Sequence, residues 1–462
     1  MSFIDLENSF QPLDEASVEP ATQSCEPGSS GCAPPIPQSP PLRAGRSCSM
    51  GPEHLSILYV SQMPASPPRF GAQARVHGLM TQLSRRHNLT AVMLVDDEFD
   101  AEECRREMEA YCREVVLVPN PYVRQGLAKR LRQLQSLAST RSFERLQVAV
   151  PAMQRALDRV LRAKRFDVVN LEFSFLGDCH LRQAPPGERL PPLVVDSHNI
   201  DYELARQYAR GGSSLARRLY AGANWRKLRR EELGTYRDAD GVYLCSAVDE
   251  RRLLQEVPGV RTAVIPNAAD VEYYQPRPTD PPPDGRTVVF FGLLSYVPNI
   301  DGVAHFVQDI WPRIARTHPK ARCKIIGGHP PSSLLELAGP RIELTGFVAD
   351  LRPHLAAAAA VVVPLRLGGG TRLKIVEAMA MGKAIVSTTL GAEGIMAVPG
   401  RDLLIEDEPA AFAEAVNRLL AEPCLAARIG RSARQLAVER YAWSAAARAL
   451  EGFYRRILEV GS

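Results

Sequence analysis

The sequence has no long apolar run, no secretory signal pattern and no cysteines spaced for a metal or a redox motif. Its nine cysteines are scattered, without a Cys-x-x-Cys pair or a metal-like spacing with histidine. This usage is typical of reduced thiols and argues against a disulfide framework. No stretch of about 18 apolar residues occurs, so no spanning helix is expected. The acidic start, Met1 to Glu7, lacks the apolar core of a signal peptide. We therefore expect a cytoplasmic protein.

Length and charge limit the class of protein. The chain has 462 residues, too many for one ordinary core, so two or three domains are expected. Its hydrophobic content of 45% and charged content of 23% are typical of a soluble globular protein. The net charge of +4 is uneven, because residues 1–50 hold six acids and two bases, or −4, which leaves +8 on the remainder. A modestly basic body fits nucleotide, phospholipid or nucleic-acid partners without choosing among them.

Strand and helix patterns alternate from about residue 51 onward. Residues 1–50 are rich in proline, serine and glycine, and we expect them to form a disordered leader. Residues 51–274 read as a Rossmann-like domain, because a strand at 55–61 and a helix at 72–86 open a β-loop-α-β unit. The longest helical segment of this domain is predicted over about 121–164.

A proline-rich connector separates this domain from a second alternating region. Residues 275–286 form the connector, and such proline density predicts a stiff, extended linker. Residues 287–440 read as a second Rossmann-like domain, and residues 441–462 as a helix that packs back toward the first domain. The predicted fold is therefore α/β, with two doubly wound domains facing each other across a cleft. A nucleotide should lie at the carboxyl ends of the second domain's strands.

The stretch from Pro364 to Gly382 carries the clearest site pattern. An apolar run from Ala357 to Val363 predicts a buried strand, three glycines follow, and a helix then carries Arg372, Lys374 and Glu377. A glycine turn before a helix presents free backbone N–H groups and the positive end of the helix dipole to an anion. Two cations in the first turn suit a diphosphate, and the carboxylate can accept two ribose hydroxyls. The stretch therefore predicts a site for a nucleoside diphosphate that carries a sugar.

A plainer interpretation of the same stretch stays open. Three consecutive glycines also occur in flexible loops, and arginine and lysine on a helix are usually solvated. Glycine-rich motifs alone match often by chance. The ordered combination of glycines, two cations, a carboxylate and a small-residue helix favours the nucleotide site.

Five stretches in order resemble one enzyme family. They are Val-Val-Asp-Ser-His-Asn at 194–199, Val-Ile-Pro-Asn-Ala-Ala-Asp at 264–270, Phe-Phe-Gly-Leu-Leu-Ser-Tyr-Val-Pro-Asn at 290–299, Glu-Leu-Thr-Gly-Phe-Val-Ala-Asp at 343–350, and the glycine stretch continued to 394. Together they resemble the retaining glycosyltransferases of family 4, which have the two-domain GT-B fold. The resemblance spans roughly residues 55 to 458, is stronger in the C-terminal half, and looks most like sugar transferases of bacterial exopolysaccharide clusters.

The resemblance implies a reaction and its cofactor needs. Enzymes of this family move a sugar from a nucleoside-diphosphate donor to an acceptor with retained anomeric configuration. They are usually independent of metal, because protein cations and helix dipoles hold the diphosphate. No Asp-x-Asp metal motif stands at a plausible site here, so we expect no metal and no other cofactor. By the resemblance, residues 51–274 would bind the acceptor and residues 287–440 the nucleotide sugar.

The resemblance also assigns donor contacts. Glu377 matches the family's second motif glutamate, which binds the ribose hydroxyls, whereas the first glutamate of the motif is replaced by Gly369. The remaining expected donor contacts are Gly292, Gly368, Gly369, Gly370 and Thr371. The cation pair often found after the first strand of the second domain is absent near Gly292, so Arg372 and Lys374 are expected to supply that charge and to act in catalysis.

Two further candidates lie in the first domain. His198 stands where the family places a histidine that lines the reaction centre, and it is expected to contact the donor sugar or shape the transition state. A lone histidine is also often structural. The loop around Arg69 and Gly71 resembles the glycine loop that closes over donor and acceptor, although an ordinary strand-to-helix loop explains it as well.

Partners and alternative functions complete the expectations. The acceptor is expected to be a glycan or a lipid-linked molecule. Basic segments at 124–132 and 217–230 carry leucine, tyrosine and tryptophan, so they suit an anionic membrane, as on its inner face, or simply a solvated helix face. No recognised nucleic-acid motif accompanies these basic residues. A GT-B sugar-nucleotide epimerase and a non-catalytic nucleotide-sugar-binding protein are the competing interpretations.

Overall fold

The structure is a computed structural model. It describes residues 54–123, 127–183, 189–210, 215–368 and 372–460. The expected leader lies outside the described residues, and so do Gly369, Gly370 and Thr371 of the glycine stretch.

Within these described ranges, the first sheet has seven parallel strands that are buried along most of their length. They are β1 (Ser56–Ser61), β2 (Asn88–Val95), β3 (Glu114–Pro119), β4 (Val168–Glu172), β5 (Leu193–Ser197), β6 (Gly241–Leu244) and β7 (Thr262–Val264), in the spatial order β3-β2-β1-β4-β5-β6-β7. Runs of valine, isoleucine and leucine form such strands because helices cover both faces of a parallel sheet.

Helices connect these strands. They are α1 (Gly71–Leu83), α2 (Ala101–Glu109), α3 (Leu127–Ala138), α4 (Phe143–Val148), α5 (Pro151–Ala163), α6 (Asp201–Arg210), α7 (Leu215–Asp238) and α8 (Ala247–Glu256). The single helix predicted over 121–164 was wrong, because α3, α4 and α5 divide this segment. The Ser142 side chain caps the N-terminus of α4 by accepting from the Arg145 N–H, and Pro151 starts α5 at a position where its missing N–H costs nothing.

The second sheet repeats this arrangement with six parallel strands in the described part of the chain. They are β8 (Thr287–Phe291), β9 (Arg322–Ile326), β10 (Ile342–Gly346), β11 (Ala360–Val363), β12 (Ile385–Ser387) and β13 (Leu404–Ile405), in the order β10-β9-β8-β11-β12-β13. The two-residue strand β13 was not predicted, since so short a segment has no periodicity to read.

Its helices are α9 (Val297–His305), α10 (Trp311–Thr317), α11 (Ser332–Leu335), α12 (Arg352–Ala357), α13 (Leu373–Ala380), α14 (Pro409–Ala421) and α15 (Pro423–Arg440), with a π-helical turn over Phe306–Ile310. The strand predicted from Ala357 begins only at Ala360, because Ala357 ends α12. Both domains are doubly wound α/β, as predicted.

The last helix, α16 (Trp443–Val460), packs on the first domain rather than on the second. The chain crosses between the domains twice, and the crossings touch where the Ala269 N–H donates to the Tyr441 carbonyl at 2.8 Å. Gly78 of α1 leaves room for this helix, since a Cβ at that position would lie 2.3 Å from the Trp443 ring. This close packing buries Trp443 against α1.

Each sheet has a point where the strand order reverses, at β1/β4 in the first and β8/β11 in the second. Crevices form outside the carboxyl ends of the strands at such points. The two crevices lie against each other, because a Cβ on Gly71, after β1, would lie 3.1 Å from Leu373, the first residue of α13 after β11. We therefore expect functional side chains among the residues that follow these four strands.

Candidate active site

The glycine stretch leads into α13 at the carboxyl end of β11. Gly368 has φ +115°, a conformation that L side chains rarely adopt, and a Cβ there would lie 2.8 Å from Nη2 of Arg372. Arg372 is the N-cap residue of α13, so its buried guanidinium lies beside the positive end of this helix. The sequence pattern predicted that Arg372 lies inside the helix, whereas the helix begins one residue later, at Leu373. Because the cation and the helix end coincide, this corner favours an anion.

Lys374 lies in the first turn of α13 and reaches back toward the end of β8. Its Nζ donates to Oδ1 of Asn299 at 2.7 Å and lies 4.0 Å from the centre of the Phe290 ring. A Cβ on Gly292, whose φ is +144°, would lie 3.0 Å from this Nζ. Gly292 therefore leaves the space that the lysine fills, and the switch point of the second sheet gathers Gly292, Lys374 and Arg372.

Two like charges at this corner change the titration of Lys374. Burial lowers the pKa of Lys374 well below its usual value, and the nearby Arg372 guanidinium lowers it further, against the opposing effect of Glu377. A bound anion would oppose both effects, since its negative charge favours the charged form of Lys374. The corner is thus arranged for a negatively charged ligand.

Glu377 lies one turn further along α13, partly buried beside the crossing segment. Burial raises the pKa of Glu377 to about 7, although a hydrogen bond with the Tyr274 hydroxyl and the charge of Lys374 act in the opposite direction. Tyr274 belongs to the segment through which the chain enters the second domain. The Tyr274 hydroxyl and the charge of Lys374 therefore both favour the ionised form, which accepts hydroxyl hydrogen bonds more strongly than the protonated form does.

His198 follows β5 on the opposite edge of the cleft and is buried. Its Nε2 lies 2.9 Å from Oε2 of Glu172 and 3.3 Å from Oδ2 of Asp196. Phe173 stacks on its ring, with centroids 4.0 Å apart, and has the unusual φ of +63°. Strain of this kind costs on the order of 1–3 kcal/mol and is concentrated at functional sites.

Asp196 is in turn bound by Arg75 from α1. Arg75 donates from Nε and Nη2 to the two Asp196 oxygens at 2.8 and 3.0 Å, and from Nη1 to the Ile265 carbonyl and to Asn267. Although burial opposes ionisation, the charges of Arg75 and His198 lower the pKa of Asp196 to about 2.

Burial and neighbouring charges also shift the pKa values of Glu172 and His198. Burial and the neighbouring Asp196 raise the pKa of Glu172 to about 7. Burial works to lower the pKa of His198, but the two carboxylates outweigh it and raise that pKa above its usual value. Sequence analysis missed Arg75, Glu172 and Asp196. The available signal was a charged residue at the end of an otherwise apolar strand, as in Val-Val-Asn-Leu-Glu at 168–172.

Glu172, Asp196 and His198 also form the candidate metal cluster of the described residues, with ligand atoms within 4.8 Å of one another. Arg75 already occupies both Asp196 oxygens, however, and Nδ2 of Asn170 donates to Oε1 of Glu172 at 2.8 Å. A metal ion would lie beside a guanidinium, so the cluster fits a hydrogen-bonded charge network better than a metal site.

The loop residues named from the sequence occupy different places. Arg69 donates to the Glu98 carbonyl at 2.7 Å and pairs with Glu103, so its side chain lies along the start of α2. Gly71 begins α1 and contacts Leu373 across the cleft. A second contact between the domains joins Arg252 to Glu393 at 3.3 Å. Gly71 therefore lies against the second domain, whereas the guanidinium of Arg69 contacts residues of its own, first domain.

Two regions of the chain match models of known protein families. Residues 71–273 match the family described as Glycosyltransferase Family 4, and residues 285–422 match the one described as Glycosyl transferases group 1. The first match contains His198, and the second contains Lys374 and Glu377. Both regions are therefore glycosyltransferase domains, and each supplies one edge of the cleft.

Curated relatives match only part of their own length. The chain is 34% identical over 140 residues to the phosphatidylinositol N-acetylglucosaminyltransferase gpi3 subunit of Schizosaccharomyces pombe, which covers 28% of this chain and 29% of the relative. It is 27% identical over 275 residues to glycogen synthase of Mycobacterium tuberculosis, which covers 57% of this chain and 63% of the relative. The chain thus spans less than two thirds of both.

Solved structures match over nearly the whole described chain. Sucrose-phosphate synthase from Thermosynechococcus elongatus superimposes with a TM-score of 0.66 at 18% identity, over 88% of this chain and 100% of that one. Anabaena HepE in complex with UDP and glucose superimposes with a TM-score of 0.57 at 17% identity, over 87% and 99%. The fold is therefore GT-B, with two Rossmann-like domains.

Proposed function

We propose that the chain is a retaining glycosyltransferase of family 4, which moves a sugar from a nucleoside-diphosphate donor to a glycan or lipid-linked acceptor. The observation that carries this proposal is the corner at the start of α13, where Arg372, Lys374 and the helix dipole converge. This corner lies at the switch point of the second sheet, where open α/β sheets bind their ligands. The acceptor then enters from the first domain, and the product belongs to exopolysaccharide or another cell-surface glycan.

The geometry supports a mechanism based on charge. As the glycosidic bond breaks, the departing diphosphate gains negative charge, and Arg372, Lys374 and the N–H groups at the start of α13 stabilise it. The acceptor hydroxyl attacks the face that the leaving group vacates, and a leaving phosphate oxygen takes its proton. The configuration is retained, and no protein base is required. His198 contributes a contact from the opposite edge, held in place by Glu172 and Asp196.

The rest of the donor has two candidate contacts. Glu377 accepts the ribose hydroxyls, most strongly in its ionised form. Phe347, 80% exposed in the loop after β10 and close to Gly328, offers an apolar face to the base. Uracil is the first base to test, because a structure of the same fold, HepE, is complexed with UDP and glucose.

No metal is needed in this proposal, since Arg372 and Lys374 supply the charge that a divalent cation would supply. Treatment with EDTA should therefore leave sugar transfer within about twofold of the untreated rate. Loss of activity that Mg²⁺ or Mn²⁺ restores would remove this part of the proposal.

A panel of nucleotide sugars tests the function itself. Thermal stabilisation by one donor, followed by transfer to lipid-linked or glycan acceptors, is the expected result, and NMR of the product should show the anomeric configuration of the donor. Lys374→Ala serves as the matched inactive variant. Gly369, in place of the motif glutamate, favours a second candidate, a non-catalytic binder. Stabilisation without turnover on every acceptor would support that candidate, whereas interconversion of donor sugars would indicate an epimerase.

We also propose that the first domain docks on an anionic membrane. Leu131, Leu134 and Leu137 of α3 are at least half exposed, and so is Leu219 of α7, whose neighbour Tyr220 hydrogen-bonds to α3. Residues 124–126 of the first basic segment lie outside the described residues. No helix among the described residues is long and apolar enough to cross a membrane.

Flotation with liposomes tests the docking. Wild-type protein should float with vesicles that contain phosphatidylglycerol and not with neutral vesicles, because basic side chains accompany the leucines. Leu131→Ser/Leu134→Ser should reduce flotation severalfold, and Leu335→Ser, an equally exposed leucine of the second domain, should not. Equal flotation of wild type and the double variant would contradict the proposal.

A further inference from the structure

A line of buried hydrogen bonds runs from the last helix to His198. The Tyr454 hydroxyl on α16 donates to Oδ1 of Asn170 at 2.8 Å, and Nδ2 of Asn170 donates to Oε1 of Glu172 at 2.8 Å. The other Glu172 oxygen, Oε2, lies 2.9 Å from Nε2 of His198. Tyr454, Asn170 and Glu172 have no solvent exposure, so water does not compete for these hydrogen bonds.

Groups from four further elements surround this line. The Tyr243 hydroxyl, from β6, donates to the same Asn170 oxygen at 3.1 Å, and the Tyr59 hydroxyl, from β1, lies 3.4 Å from that of Tyr454. Asp196 from β5, bound by Arg75 from α1, is the other charged neighbour of His198. Among the described residues, the charged and titratable groups near His198 include two carboxylates, one guanidinium, the buried Cys245 thiol, and phenols that burial keeps neutral.

The two phenol donors determine how Asn170 is oriented. Only the amide oxygen can accept their protons, so the NH₂ group must point to the other side, toward Glu172. There it occupies one carboxylate oxygen and leaves the second directed at the imidazole. If the Tyr454 hydroxyl is removed, the amide loses one of the two donors that determine its orientation, and Glu172 becomes less restricted.

We propose that Tyr454 and Asn170 are positioning residues for sugar transfer, which hold Glu172 so that it sets the orientation and proton occupancy of His198. The inference rests on the proposed function for its kinetic consequence, but its structural part concerns the free protein. By this proposal α16 supports the active site, because its residue Tyr454 supplies one hydroxyl group to the hydrogen bonds of the first domain. His198 remains the group that meets the substrate.

Tyr454→Phe tests the proposal, because it removes one oxygen and keeps the ring that packs in the core. We expect kcat to fall about tenfold, the equivalent of one buried hydrogen bond, while the donor KM changes less than twofold, because the donor binds across the cleft. Tyr441→Phe is the matched control: this buried tyrosine accepts from the Met396 N–H in the second domain and should leave kcat unchanged.

NMR of histidine-labelled protein separates this proposal from the proposed function. The His198 signal, assigned with His198→Gln, should titrate at lower pH in Glu172→Gln, because a negative neighbour is lost, and its chemical shift should change in Tyr454→Phe without any substrate. Unchanged His198 signals and kinetics in both variants, with melting temperatures near wild type, would overturn the proposal whether or not sugar transfer is detected. Changed signals in a protein that transfers no sugar would uphold the positioning role and reject the proposed function.

Discussion

The two edges of the cleft are formed by the residues at the carboxyl ends of the two sheets. The sheets share their strand order around the switch point, but the charged side chains at the two edges are arranged differently. At the first edge, His198 lies between Glu172 and Asp196, and Arg75 neutralises Asp196, so charges of both signs are paired in the absence of a ligand. At the second edge, two cations are neighbours, and the charge of Arg372 helps burial to lower the pKa of Lys374.

This difference separates two tasks. A balanced, buried network keeps its geometry whether or not substrate is present, which suits a group that must be in place before the reaction. Two neighbouring cations are stabilised when an anion binds, which suits the binding of a diphosphate and its stabilisation as it departs. If this difference is functional, the second edge should bind the diphosphate of the donor, and contacts between the edges should affect activity less than the cations do.

The largest effect should come from removing a cation of the second edge. Arg372→Ala and Lys374→Ala should each lower kcat/KM by about 100-fold or more, comparable to the loss of one preorganised transition-state donor. Initial rates with the preferred donor measure the effect. Lys324→Ala, a lysine of the same sheet that pairs with Glu343, should be near normal. Near-normal rates for Arg372→Ala and Lys374→Ala would remove the charge assignment and with it the contrast between the edges.

Glu377 should make donor binding depend on pH. Since burial raises the pKa of Glu377 to about 7, its carboxylate is ionised above that pH and protonated below it. Affinity for a nucleotide sugar should therefore fall as the pH is lowered through 7, by about fivefold to tenfold in all between pH 8 and pH 6. Calorimetry from pH 6 to 8 measures this, and the intact donor has no phosphate group that titrates in this range.

Glu377→Gln is the control for that dependence. It should bind the donor about tenfold more weakly at pH 8, because a charge-assisted hydrogen bond is lost, and its affinity should not vary with pH. A pH profile that survives in Glu377→Gln would assign the titration to another group.

Gly292→Ala should have an intermediate effect. Its Cβ would press on Nζ of Lys374 at 3.0 Å, and φ is +144°, so the lysine must move. We expect a loss of about tenfold in kcat/KM and a stability loss on the order of 1 kcal/mol. Gly285→Ala shares the positive φ but meets nothing within 4 Å, so it should show the strain without the loss of activity. Equal activity losses in both variants would mean that backbone strain, not Lys374, is responsible.

The smallest effect should come from the Arg252–Glu393 pair between the domains. Both side chains are partly exposed, so Arg252→Ala should change the free energy of unfolding by at most about 1 kcal/mol. A change of less than threefold in KM is expected, and it should shrink further as salt rises. A tenfold effect on KM would show that this pair controls how the edges meet.

Local patterns were enough to predict much of the second edge. The glycines, Arg372, Lys374 and Glu377 lie within ten residues, so helix periodicity and the strand before them indicate a shared corner. The first edge was harder to predict, because Arg75, Glu172 and Asp196 are distant in sequence and single charges in apolar strands have no periodicity. The prediction of one long helical segment over 121–164 was wrong for a related reason: its apolar pattern continues past the Ser142 cap that begins α4.

By itself, the sequence determined the alternation of strands and helices, the two doubly wound domains and the position of Arg372 and Lys374 at the start of a helix, because local patterns of apolar, glycine and charged residues indicate each of them. Tertiary structure alone decided that Asp196 faces Arg75, that Glu172 faces His198, and that Tyr454 of the last helix reaches Asn170. These pairs are 26 to 284 residues apart. Burial makes each of them specific, since a charged or polar group out of water must find its partner wherever the fold brings one.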